Sequence, residues 1–255
     1  MPVSNATVVC VCISLFISVS VPVILFFVLR KSFNLKVVPV IVGAVVFIIF
    51  ALLLEQLLHS IVLQPQSDGT IALMSKYPVL FVLYCIFAAG IFEETARFLS
   101  FNLMKKSYDG FGTALSYGIG HGGIESILLV GTAMFSNLAI IAAINSGVTE
   151  IVSSLPLETV IALKSTPPTL FLVAGVERIM AIILQISLSV LVWKSVSEKK
   201  ILFYPLAIVI HAVADLPAIL AQMGIISNIW IVEAIVFVIV ALTVFGEYKL
   251  FKKAV

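Results

Sequence analysis

Charge is what this chain lacks most. Only 11% of its residues are Asp, Glu, Lys or Arg, against 62% hydrophobic, and the mean hydropathy is +1.23. Soluble domains carry about 25% charged residues, so that class is excluded and the chain reads as an integral membrane protein. Cysteine is scarce too. Cys10, Cys12 and Cys85 show neither metal-type nor disulfide-type spacing and read as small residues inside helices. Low-complexity tracts and clear repeats are absent. A net charge of +2 and a pI near 8.4 reflect membrane anchoring and point to no nucleic-acid partner.

What is present is length without polarity. Apolar runs of about 20 residues or more, enough to cross a hydrocarbon core, start near Thr7, Val37, Tyr77, Thr113, Thr169, Ile201 and Ile225. The expected fold is all-α, with seven transmembrane helices, the fourth long enough to bend. The leading segment has no basic n-region and stays apolar as far as Leu29, too long for a signal peptide. The first helix is therefore expected to stay in the mature protein.

Basic residues alternate loop by loop. Arg30, Lys31 and Lys36 follow the first run, Lys105 and Lys106 the third, Lys194, Lys199 and Lys200 the fifth, and Lys249, Lys252 and Lys253 the last. Lys and Arg are retained on the cytoplasmic side, so the expectation is an outside N-terminus and a cytoplasmic C-terminus. One transmembrane domain is expected over 1–255, with a catalytic-type core at about 77–223. Residues 145–168 read as an external amphipathic loop, an interfacial helix ended by Pro167-Pro168.

Against this apolar background the ionisable residues stand out. Glu93 and Glu94 are adjacent, with Arg97 one turn on; His121 precedes Glu125 by four residues, and His211 precedes Asp215 by four. Each ionisable side chain at a helix centre costs about 2.5 to 3.5 kcal/mol, so such groups need partners or a function. Counting 1.5 Å per residue, Glu93, His121 and His211 each lie about 15 to 17 Å from the cytoplasmic ends of their helices. Glu125 and Asp215 lie on the same faces as their histidines, about 6 Å further out.

One shared level on three helices suits hydrolysis. A carboxylate accepts a proton from water, imidazoles hold the water or the developing oxyanion, and Arg97 keeps a buried carboxylate ionised. Adjacent helical residues point about 100° apart, so one glutamate faces the pocket and the other pairs with Arg97. Glu93, His121 and His211 are also ligand types of catalytic zinc sites, without an H-E-x-x-H spacing. Zinc-bound and glutamate-activated water are both open on the residues alone. The pocket is expected to open from the cytoplasmic half.

Phe92-Glu93-Glu94-Thr95-Ala96-Arg97, then Tyr117 to Glu125, then His211-Ala212-Val213-Ala214-Asp215 together resemble the YhfC family of intramembrane metallopeptidases. That family is grouped with the type II CAAX prenyl endopeptidases, the bacteriocin-processing proteins and PrsW. The resemblance runs from the third helix to the sixth. It implies Glu93 as the water-activating carboxylate and His121 as its partner, with His211 and Asp215 holding an oxyanion or a metal. Arg97 follows the glutamate pair by one residue fewer than in the CAAX enzymes, Tyr117 replaces Phe, and Asp215 replaces the commoner Asn. The last change adds negative charge and favours a bound cation. A lipid bilayer and a peptide or membrane-protein substrate are the implied partners, and a bacterial plasma membrane fits the resemblance.

Two other readings share these features. The helix number and motif order also resemble APH-1, the non-catalytic scaffold subunit of γ-secretase, but the complete acid–imidazole set favours an enzyme. Buried Glu and His also mark ion paths in transporters, where inverted repeats or paired broken helices are expected and none is seen. Duller roles are assigned elsewhere. Gly118, Gly120, Gly122 and Gly123 read as a close-packing stripe, and Glu177-Arg178 as a structural ion pair, or a network with Gln185, at a depth apart from the site. Glu55 and His59 read as snorkelling side chains near a helix end.

Overall fold

The computed structural model describes residues 2–252. Seven helices among these residues are long and apolar enough to cross a membrane. They are α1 (Asn5–Phe33), α2 (Val37–Val62), α3 (Pro78–Met104), α4 (Phe111–Asn145), α5 (Pro168–Ser197), α6 (Phe203–Gln222) and α7 (Ile229–Lys252). The described residues hold no β-strand, only an isolated bridge between Pro65 and Ile71. This is a multi-pass, all-α membrane protein.

Helix ends follow local chemistry. The Ser4 hydroxyl caps α1 by accepting from the Thr7 amide at 3.1 Å, which satisfies one of the donors left free at a helix start. Asn34 ends α1 in the left-handed region, at φ 53°, a conformation Asn tolerates better than most residues. Pro78 and Pro168 open α3 and α5, where a missing N–H costs nothing. Two spans contain π-helical stretches, Ile48–Glu55 in α2 and Ile127–Gly131 in α4.

Helix α5 is the axis of the bundle. Of its apolar window 67% is buried, against at most 39% in any other span, and it touches α1, α3, α4, α6 and α7. Small residues let its neighbours close in. A Cβ on Gly118 of α4 would stand 2.6 Å from Ile186 Cα of α5, and one on Gly120 would collide with the Val40 carbonyl of α2. The glycine stripe is thus split between two packing faces, wedging α4 between α2 and α5.

The basic connections gather at one end. Lys36 and Asp109 line one hollow there, and Lys105 and Lys199 another that also includes Asp109. At the opposite end, residues 145–168 form two short helices, Thr149–Ser154 and Leu157–Ser165, where a single interfacial helix was expected. The break falls at Pro156, which has no N–H to continue the first helix. The second helix packs inward through Leu163, which joins Val11, Met134 and Ile141 in an apolar cluster.

Candidate active site

The site grows from α3. Glu93 Oε2 accepts a hydrogen bond from His121 Nε2 on α4 at 2.8 Å. Glu94, turned about 100° away, receives Arg97 Nη1 on both oxygens at 2.6 and 2.5 Å and His211 Nδ1 of α6 on Oε1 at 2.9 Å. The two adjacent glutamates therefore divide the work: one meets the α4 imidazole, the other holds an arginine and the α6 imidazole. Glu94, Arg97 and His121 are wholly buried, and Glu93 and His211 nearly so.

Gln185 on α5 joins the parts. Its carbonyl oxygen accepts from Arg97 Nη2, and its amide donates to Glu93 Oε2 and Glu125 Oε2, each at 3.0 Å. A glutamine offers two N–H donors and one carbonyl acceptor, and here all three groups are used. The free face of His211, Nε2, lies 4.0 Å from Glu93 Oε2 and 3.6 Å from Asp215 Oδ2. Rings fix the other imidazole: His121 sits between Phe47, edge-on at 5.1 Å, and Tyr117, stacked at 6.0 Å. His121 Nδ1 has no hydrogen-bond partner.

The donor set fits a metal ion. One ligand atom each from Glu93, His121 and Glu125 lie within 4.8 Å of one another. Carboxylate and imidazole donors suit zinc and neighbouring divalent ions, and two carboxylates this close in low dielectric are relieved by a cation between them. His211, expected as a third ligand, is not in that compact group, because its Nδ1 is committed to Glu94. Glu125, expected as a supporting residue, takes the place.

A cavity of about 300 Å³ borders these groups. Glu93, Gln185 and His211 line it, with Glu177, Arg178 and Glu233. Three expectations are corrected here. Glu177-Arg178 does not lie apart from the site, since Arg178 donates to Glu125 Oε1 at 3.0 Å and Glu177 Oε1 at 2.5 Å. The cavity runs from the site toward Ala221 and Ile229 at the α6–α7 turn, away from the basic end rather than toward it. Glu55 does not snorkel. It is 5% exposed, placed inward by the π-helical stretch and 3.3 Å from His59 Nε2, while His59 Nδ1 meets the Tyr84 hydroxyl at 2.8 Å.

Seven apolar helices around a buried carboxylate–imidazole centre define a multi-pass membrane protein of intramembrane-hydrolase type. The model of the YhfC intramembrane metalloprotease family matches residues 17–236, a stretch that contains every site residue named above. The chain is also 35% identical to the "Uncharacterized membrane protein YhfC" of Bacillus subtilis (strain 168), over 97% of both chains. The chain belongs to the YhfC intramembrane metalloprotease family. No solved structure matches it.

Proposed function

We propose that this protein is an intramembrane peptidase, hydrolysing a peptide bond of a membrane-embedded, lipidated or membrane-active peptide with activated water. The observation that carries this reading is the Glu93–His121 hydrogen bond of 2.8 Å beside a cavity enclosed by five helices. Glu93 takes a proton from water as the oxygen adds to the carbonyl carbon, and returns it to the leaving nitrogen when the C–N bond breaks. His211 Nε2 faces the cavity and donates to the oxyanion that forms. Glu94 orients His211 through Nδ1, and Gln185 and Arg97 hold the two glutamates apart.

A divalent metal held by Glu93, His121 and Glu125 would add Lewis acidity and lower the pKa of water. Zinc is our assignment for it. With the basic loops retained on the cytoplasmic side, the N-terminus lies outside and the cavity faces the outer leaflet of a bacterial plasma membrane.

The test compares new peptide N-termini in membranes of cells making equal amounts of wild type or Glu93→Gln. Termini found only with wild type support the peptidase and name its substrate. Identical termini in both samples sink it and favour a scaffold role.

A further inference from the structure

Far from the site, two hollows meet on the outer face of α1 and α2. The first, about 420 Å³, is a groove lined almost wholly by carbon, with Phe26 and Phe27 of α1, Val40 and Ala44 of α2, and Gly120 and Gly123 of α4 among its walls. The second, about 530 Å³, is lined by Arg30, Lys31 and Lys36 together with Phe27 and Val37. Phe27 belongs to both. Arg30 and Lys31 stand one helical turn beyond Phe26 and Phe27 on the same face of α1, and the Arg30 guanidinium lies 5.5 Å from the Phe26 ring. The two hollows are one trough, basic at its end and apolar along its length.

Its dimensions and charge name the occupant. From Val37 to Ile48 the apolar wall covers about 16 Å at 1.5 Å per residue, close to half of the roughly 30 Å hydrocarbon core. That is the reach of one leaflet. No carboxylate lines the basic hollow, and none of its three cations forms an ion pair among the described residues. The closest carboxylate of the surroundings, Asp109, lines the adjoining hollow with Lys36 and leaves Arg30 and Lys31 unopposed. Retention of positive charge on one side explains why basic residues are in this loop. It does not explain their convergence on one hollow that continues into an apolar groove.

We infer that this trough is a specific site for an anionic phospholipid, with its phosphate on Arg30, Lys31 and Lys36 and one acyl chain in the groove between α1, α2 and α4. The groove floor is Gly120 and Gly123, on either side of His121, so the lipid chain braces the helix that carries the α4 imidazole from behind.

Native mass spectrometry of the detergent-solubilised full chain tests this, with phosphatidylglycerol and phosphatidylcholine of identical acyl chains as probes. Each basic residue is worth on the order of fivefold in binding. Phosphatidylglycerol is therefore expected to bind about 100-fold more tightly than phosphatidylcholine, and each single variant, Arg30→Gln, Lys31→Gln or Lys36→Gln, to remove about one fivefold step. Ala44→Phe, which fills the groove and leaves the charges, is expected to weaken both lipids. Equal binding of the two lipids by wild type overturns the inference, as does an unchanged preference in all three charge variants. Displacement of the lipid by inorganic phosphate would mark a free-anion site instead. Displacement by a prenylated peptide at lower concentration would reassign the groove to substrate, and no effect of Ala44→Phe would remove the acyl chain from it.

Discussion

Gln185 Nε2 donates to Glu93 Oε2 at 3.0 Å, and the same amide reaches Glu125 at 3.0 Å. One uncharged side chain from the central helix thus sets the spacing of two carboxylates. Gln185→Ala is expected to lower the rate of substrate cleavage by about 10- to 100-fold, the usual effect of losing a group that orients a site from behind. Gln185→Glu would put a third carboxylate against the other two and is expected to be worse. Rates from a substrate found by N-terminal profiling would check both, and wild-type rates in Gln185→Ala would remove the bridge from the mechanism.

Metal content separates the ligand set drawn from the structure from the one expected of the motifs. With Glu93, His121 and Glu125 as the converging donors, Glu125→Gln is expected to lower bound divalent metal more than His211→Gln does. Elemental analysis of the purified variants by mass spectrometry reads this out without any activity assay. The opposite order would restore His211 as a ligand.

Arg97 is wholly buried beside Glu94, and removing one partner of a buried pair costs about 3 to 5 kcal/mol because the other charge is stranded. Arg97→Met should therefore melt well below wild type. Adding Glu94→Gln should recover part of that loss, since the stranded charge goes too. A double variant no more stable than Arg97→Met would mean that the pair is not coupled.

Packing around α4 offers a matched control. A Cβ at Gly120 would overlap the Val40 backbone, whereas one at Gly246 meets nothing within 4 Å. Gly120→Ala is expected to destabilise the fold by about 1 to 3 kcal/mol, with Gly246→Ala neutral or slightly stabilising. Thermal unfolding in one detergent compares the two, and equal melting temperatures would contradict the tight α2–α4 contact.

At the basic end, hydrogen bonds from Lys194 and then Lys200 hold the Glu198 carboxyl below its ordinary value of 4.5. A depressed folded pKa stabilises above the unfolded value, and the contribution disappears as pH falls through the folded one. Glu198→Gln should therefore cost little near neutrality, at most about 1 kcal/mol for so exposed a pair, and nothing at a pH well below 4. Unfolding curves at pH 7 and pH 3 with and without the substitution test the sign; a larger effect at pH 3 would refute it.

Much of this molecule is legible in its residues, and the illegible parts share a cause. Helix spans are written in hydrophobicity: expected starts near Val37, Tyr77 and Thr113 meet helices beginning at Val37, Pro78 and Phe111. Glu93, Glu94, His121 and His211 stand out because charge in an apolar run is costly. Gln185 is uncharged, so it gave only a weak signal, and its three-way role depends on which helices meet α5. The π-helical stretch that turns Glu55 inward has no composition of its own, since any residue can make an i to i+5 bond. Glu125 carries the same difficulty. Its place among the candidate metal ligands comes from the lateral approach of α3 to α4, which spacing along one helix does not encode.

The π-helical stretch Ile48–Glu55 also sets the terms on which this chain can gain or lose residues. Such a stretch houses an extra residue within a helix, so deleting one residue there would restore a continuous α-helix and leave no gap. The deletion would turn the segment beyond Glu55 by about 100°, carrying His59 away from Tyr84 and exchanging a polar tether between two spans for a lipid-facing one. One codon, with no substitution anywhere, would rewire α2.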